Sequence, residues 1–162
     1  MNLIRRIGQL NVSQLFSFAG LFLKHPMYLV PTLRATKRTM TLCNDLFKND
    51  HHRSNRANAF RHALWNIVIA QNCFKRNKNK EKSLIFTQKF TNLYEKVTQN
   101  KALEEAMDLH NNEMGLRYFS EEKEKKVVDW IDFLLKTMKN AQKVEEIGEI
   151  QKLPENLVFL EE

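Results

Sequence analysis

Two short polar stretches carry the residue types that could do chemistry. Residues 58–66 read NAFRHALWN, and residues 108–115 read DLHNNEMG. On a helix, residues four apart share a face, so Asn58, His62 and Asn66 form one polar column, with Arg61 and Trp65 beside it. In the second stretch Asp108, Asn111 or Asn112, and Gly115 fall on a common face. His110 points roughly 160° away from Asp108 at 100° per residue, so a regular helix cannot direct both at one ion. Amide, imidazole and carboxylate groups set among apolar neighbours must be satisfied, because an unpaired buried polar group costs about 1–3 kcal/mol. His62, Glu95, Asp108 and His110 are the nitrogen and oxygen donors that zinc, manganese or iron take in helical bundles. A divalent metal ion there would lower the pKa of bound water to about 7 and supply a hydroxide nucleophile, with Glu95 or Asp108 as general base. Arg61 would stabilise a phosphoryl oxygen. The expected activity is hydrolysis of a phosphate-containing or lipid ester. The competing expectation is a non-catalytic helical module in which the same Asn, His and Asp groups are a hydrogen-bond network that cross-links helices and sets their register.

The elements that must position these groups are helical. With 162 residues, 43% hydrophobic and only four Gly and three Pro, the chain can build one core and has little punctuation for hairpins. The expected fold is all-α, a single compact bundle of five or six helices with an extended C-terminal tail. Residues 1–30 form an amphipathic segment packed on the bundle, 31–140 carry both motifs, and 141–162 make the tail. Pro31 suits a helix start, and a second helix runs to about Lys48. Residues 49–53 read as a connecting loop with solvent-facing histidines. Ser54 or Asn55 caps a third helix that runs to about Lys75 and is apolar on most sides, so it should be central. Residues 76–82 read as a basic, mobile linker before a fourth helix over 83–97. A break at Gln99 and Asn100 and a fifth helix from Lys101 follow. Ser120 with Glu121 and Glu122 marks the start of a sixth helix. The third and fifth helices should pack together so that the two motifs meet.

The motif segments resemble an uncharacterised bacterial domain family, DUF6973. The likeness rests on AFRHALW at 59–65, on Lys89, Phe90 and Thr91 followed by Glu95, and on DLHNNEMG at 108–115, and it covers roughly residues 55–120. It implies an all-helical fold and brings no established reaction. Members of the family tend to carry His just before the Glu, where this chain has Tyr94. If that His is a ligand, the site here is altered.

Charge is unevenly spread. Residues 1–53 carry eight Lys or Arg against two acids, residues 54–100 nine against two, and residues 101–162 nine against fifteen. The basic part either compensates the acidic third within the bundle or faces a phosphate-bearing partner such as an anionic membrane surface. No stretch interleaves Arg with aromatic residues, which argues against nucleic acid. Arg5 and Arg6 ahead of the apolar run from Leu15 to Leu23 imitate a signal peptide. The run is interrupted by Ser17, ended by Lys24 and Pro26, and too short for the roughly 20 residues of a membrane span. It reads as a core helix first and an interfacial helix second. Cys43 and Cys73 read as inert buried thiols in a reducing, cytoplasmic setting, with the protein peripheral at a membrane if the first helix lies in the interface. Ser83, Ser120 and the cysteines have no base nearby in sequence, and there is no glycine-rich phosphate loop.

Overall fold

The computed structural model describes residues 12–98 and 101–161. Arg5 and Arg6 therefore lie outside the described residues, as does the break expected at Gln99 and Asn100. The architecture is a helical bundle with a C-terminal extension: α1 (Val12–Lys24), α2 (Leu29–Phe47), α3 (Arg56–Asn77), α4 (Lys80–Thr98), α5 (Ala102–Glu121), α6 (Val127–Thr137), β1 (Gln142–Lys143), the one-turn α7 (Ile147–Ile150) and β2 (Val158–Phe159).

α3 is the axle. Ala59, Phe60, Ala63, Leu64, Ile67 and Val68 are all fully buried, and α2, α4, α5 and α6 each pack against it. Apolar side chains around most of its circumference have no other way to leave water. The Asn55 side chain accepts the Asn58 N–H at 3.1 Å and so caps its start. At its end Lys78 adopts a left-handed conformation with φ of 57°, and its N–H bonds to the Phe74 carbonyl. That tight cap shortens the expected basic linker at 76–82 to residues 78 and 79. α4 follows at once, because Asn79 Oδ1 accepts the Lys82 N–H at 2.8 Å.

α3 and α5 meet closely because Gly115 lies at their contact. A Cβ on Gly115 would overlap the Ala63 carbonyl oxygen and lie 2.9 Å from the Ala63 Cα. Glycine here permits two backbones to touch.

Ser120 does not open a helix. α5 continues through Glu121, and the Ser120 hydroxyl donates back to the Arg117 carbonyl at 2.8 Å. α6 instead begins at Val127, where Asp129 Oδ2 accepts the Lys126 N–H at 3.1 Å. The signal was misplaced because a serine late in a helix can bond backward as readily as a cap bonds forward.

The tail is tied into the body. β1 and β2 pair in parallel, Gln142 opposite Val158 and Lys143 opposite Phe159. Val144, Ile150 and Val158 gather around Met107 of α5 as a second, smaller core. Asn111 holds it there: its amide donates to the Val158 carbonyl at 2.9 Å and accepts the Val158 N–H at 3.0 Å. One side chain thus substitutes for a neighbouring strand.

The expected solvent-facing histidines at 51 and 52 differ. His51 is fully buried and bonds through Nε2 to Asn44 Oδ1 at 2.8 Å, while His52 is half-buried. Burial, aided by His52 and Arg61, pushes the His51 pKa down to about 3. Cys43 and Cys73 are buried free thiols, and burial pushes both up to about 12, so neither supplies a thiolate at neutral pH. No described helix is long and apolar enough to cross a membrane.

Candidate functional site

Three helices deliver one residue each to a buried point. His62 comes from α3, Glu95 from α4 and Asp108 from α5, and one ligating atom from each lies within 4.8 Å of the others. All three are buried, Glu95 completely. The column rule explains the convergence. Asn58, His62 and Asn66 share a face of α3, Thr87, Thr91 and Glu95 share a face of α4, and Asp108 and Asn112 share a face of α5.

The imidazole is held at both edges. Nδ1 lies 3.0 Å from Asn112 Oδ1 and 3.4 Å from Glu95 Oε1. Nε2 lies 3.2 Å from Asp108 Oδ1 and 2.6 Å from Arg61 Nη2. A chain of amides fixes which nitrogen donates. The Thr91 hydroxyl donates to Asn66 Oδ1 at 3.1 Å, Asn66 Nδ2 donates to Asn112 Oδ1 at 2.6 Å, and Asn112 Nδ2 donates to Glu95 Oε1 at 3.0 Å. Asn112 Oδ1 is therefore an acceptor, and the network assigns the proton to His62 Nδ1. Nε2 then presents its lone pair, which the Arg61 guanidinium meets. Asp108 approaches the same lone pair, and two acceptors at 3.2 Å attract only if a proton or a cation lies between them. Arg61 is half-buried, and its other terminal nitrogen donates to the His51 carbonyl at 2.6 Å, so it is anchored to the turn before α3.

Glu95 Oε2 in the cluster, and Asn58 Oδ1 one turn before His62 on α3, have no hydrogen-bond partner among the described residues. Buried polar atoms are rarely left so, and water or an ion ordinarily fills the place. The donor set fits a divalent ion at the Nε2 edge, with His62 and Asp108 as ligands. Glu95, on the opposite nitrogen, would orient the ring as outer carboxylates do behind metal-bound histidines. One ion cannot take both ring nitrogens, but one ligand atom from each of His62, Glu95 and Asp108 lies within 4.8 Å of the others. The unpartnered second oxygen of Glu95 leaves this carboxylate able to join His62 and Asp108 on a single ion.

His110 does not join the cluster. Its Nε2 meets the Asn156 carbonyl at 2.7 Å, on the side of α5 that faces the C-terminal segment, as the helical repeat requires. Of the supporting residues, Asn66 and Asn112 are in the network. Asn111 serves β2, and Gly115 serves the helix contact. Trp65 Nε1 donates to Thr36 Oγ1 of α2 at 2.8 Å, and its ring meets Tyr94 edge-on at 5.1 Å. Tyr94 thus packs against the aromatic side of α3. Thr91 is a network residue that the two polar motifs do not point to, although the i, i+4 spacing of Thr87, Thr91 and Glu95 places it on the same face as Glu95.

A groove of about 430 Å³ lies between α4, α5 and α7. It touches the network at Asn112 alone, so it backs the Nδ1 edge and does not open on Nε2. A family model for a domain of unknown function, DUF6973, matches residues 19–142. The chain belongs to the DUF6973 family. The matched span contains all three helices that build the cluster, so the His62, Glu95 and Asp108 arrangement lies inside the DUF6973 domain. No curated protein and no solved structure matches the chain.

Proposed function

We propose that the centre is a divalent-ion-dependent hydrolase site for a phosphate-containing ester. The observation that carries this reading is the His62 ring clamped between two buried carboxyl groups, with its Nε2 lone pair contested by Asp108 and Arg61. A bound divalent ion would supply Lewis acidity and lower the pKa of a water. His62 and Asp108 would hold the ion, and Glu95, close to Nδ1, would fix the ring. The carboxylate of Asp108 would take a proton from the attacking water as its oxygen bonds to phosphorus, and would return that proton to the leaving oxygen as the P–O bond breaks, so that the products are the phosphate and the alcohol. Arg61 swings from Nε2 to the phosphoryl oxygens, where a planar two-pronged donor is well matched. That movement also uncovers the ring.

The amide chain favours a second reading. Thr91, Asn66, Asn112 and Glu95 link α3, α4 and α5 continuously, as a purely structural lock would. Assays with bis(p-nitrophenyl) phosphate and p-nitrophenyl phosphate, with manganese, zinc or magnesium added, separate the two. Turnover that chelator abolishes and that falls about 100-fold in a folded Asp108→Asn variant supports hydrolysis. No turnover with any ion, together with a sharp loss of melting temperature in Asp108→Asn, leaves the lock.

A further inference from the structure

α1 is apolar on two faces. Its inner face seats Phe18 and Phe22 on α4, where Phe18 lies 5.7 Å from Phe90, and Phe22 lies 6.0 Å from Phe86 and 5.7 Å from Phe90. Its outer face carries Val12, Phe16, Ala19 and Leu23 at spacings of four, three and four, a continuous helical stripe. That stripe lies in solvent: Phe16 is 71% exposed and Leu23 82%. Met27, Val30 and Leu33, at the turn into α2 and in its first turns, extend the exposed apolar surface. Isolated exposed hydrophobes are ordinary, but a run of this length marks a surface made for contact.

The charge along α1 and the first half of α2 is of one sign, and the nearby acid on α4 is Glu81, beside Lys82. No Asp or Glu occurs in the sequence before Asp45. Beside the end of α1 is a hollow of about 400 Å³, floored by Met27, Tyr28 and Phe86 and edged by Lys24, Lys82 and Lys89. All three lysines are exposed. Arg34, Lys37 and Arg38 follow on the outer surface of α2. An apolar stripe beside a basic rim, with no acid on the same stretch, is complementary to acyl chains beneath anionic headgroups.

We propose that the outer face of α1, continued by the start of α2, docks on an anionic lipid bilayer. Phe16 and Leu23 enter the acyl boundary, and Lys24, Lys82 and Lys89 hold lipid phosphates at the hollow. The docking surface lies on α1, the start of α2 and α4, and stands independently of the chemistry at His62.

The test is co-sedimentation of the full chain with vesicles of phosphatidylglycerol and phosphatidylcholine, against phosphatidylcholine alone. Binding at least tenfold tighter to the anionic vesicles is expected, weakening as salt rises. Phe16→Glu with Leu23→Glu should abolish it, and the triple change Lys24→Glu, Lys82→Glu, Lys89→Glu should remove the preference for anionic lipid. All five positions are exposed, so unchanged melting curves will show the variants folded. Failure to pellet with anionic vesicles, equal binding to both vesicle types, or binding untouched by the apolar changes would each overturn the proposal. So would a dimer that Phe16→Glu dissociates and that shows no vesicle binding, since a second copy would then cover the stripe.

Discussion

Gly115→Ala should lower stability by about 3 kcal/mol, a drop in melting temperature of about 6–12 °C for a chain of this size. The added methyl has nowhere to go, because its neighbours are the Ala63 carbonyl and Cα rather than the end of a flexible side chain. Either α5 moves away from α3, or the helices shift along one another. Both motions separate His62 from Asp108 and Asn112, so the variant should lose the cluster's geometry as well as stability. Thermal unfolding followed by circular dichroism checks the first part. A drop below about 2 °C would mean that the two helices are not held by this contact.

Asn112→Asp should have a comparably large effect through electrostatics alone. The side chain keeps its shape, but the group that donates to Glu95 Oε1 at 3.0 Å becomes a second carboxyl oxygen. Two buried carboxyl groups this close cannot both ionise, and the loss is about 3–5 kcal/mol at neutral pH. The sign of the pH dependence follows from proton binding. The folded variant holds a proton on the pair at a pH where the unfolded chain has released it, so its stability rises toward acid. Melting curves at pH 7 and pH 5 should therefore show the gap from wild type narrowing at the lower pH. A gap that widens, or an unperturbed variant at pH 7, would show that Asn112 does not donate to Glu95.

The bundle was legible because it depends on local periodicity. The spacing of Ala59, Ala63, Ile67 and Ala70 declared a central helix, and the i, i+4 columns through His62 and Asp108 named the residues that meet. Glu95 came from the family resemblance, although Thr87, Thr91 and Glu95 form a column by the same rule. What escaped the sequence depends on three dimensions. His51 looks like a loop residue, yet the turn at 50–52 folds it inward to Asn44 and lets its carbonyl anchor Arg61. Ser120 carries the residue type of a cap but bonds backward, a choice its neighbours do not reveal. Asn111 and Asn112 are adjacent in sequence and about 100° apart around the helix, so one reaches β2 and the other His62. Only the position of β2 shows which is which.

The most direct measurement is a long-range proton–nitrogen correlation spectrum of the His62 ring in the full chain, with and without zinc. Nδ1 should carry the proton in the ion-free protein, and saturating zinc should shift the Nε2 resonance in wild type but not in a folded Asp108→Asn variant. An Nε2 resonance that zinc leaves in place, or a ring protonated at Nε2 and bare at Nδ1, would contradict the site proposed at His62.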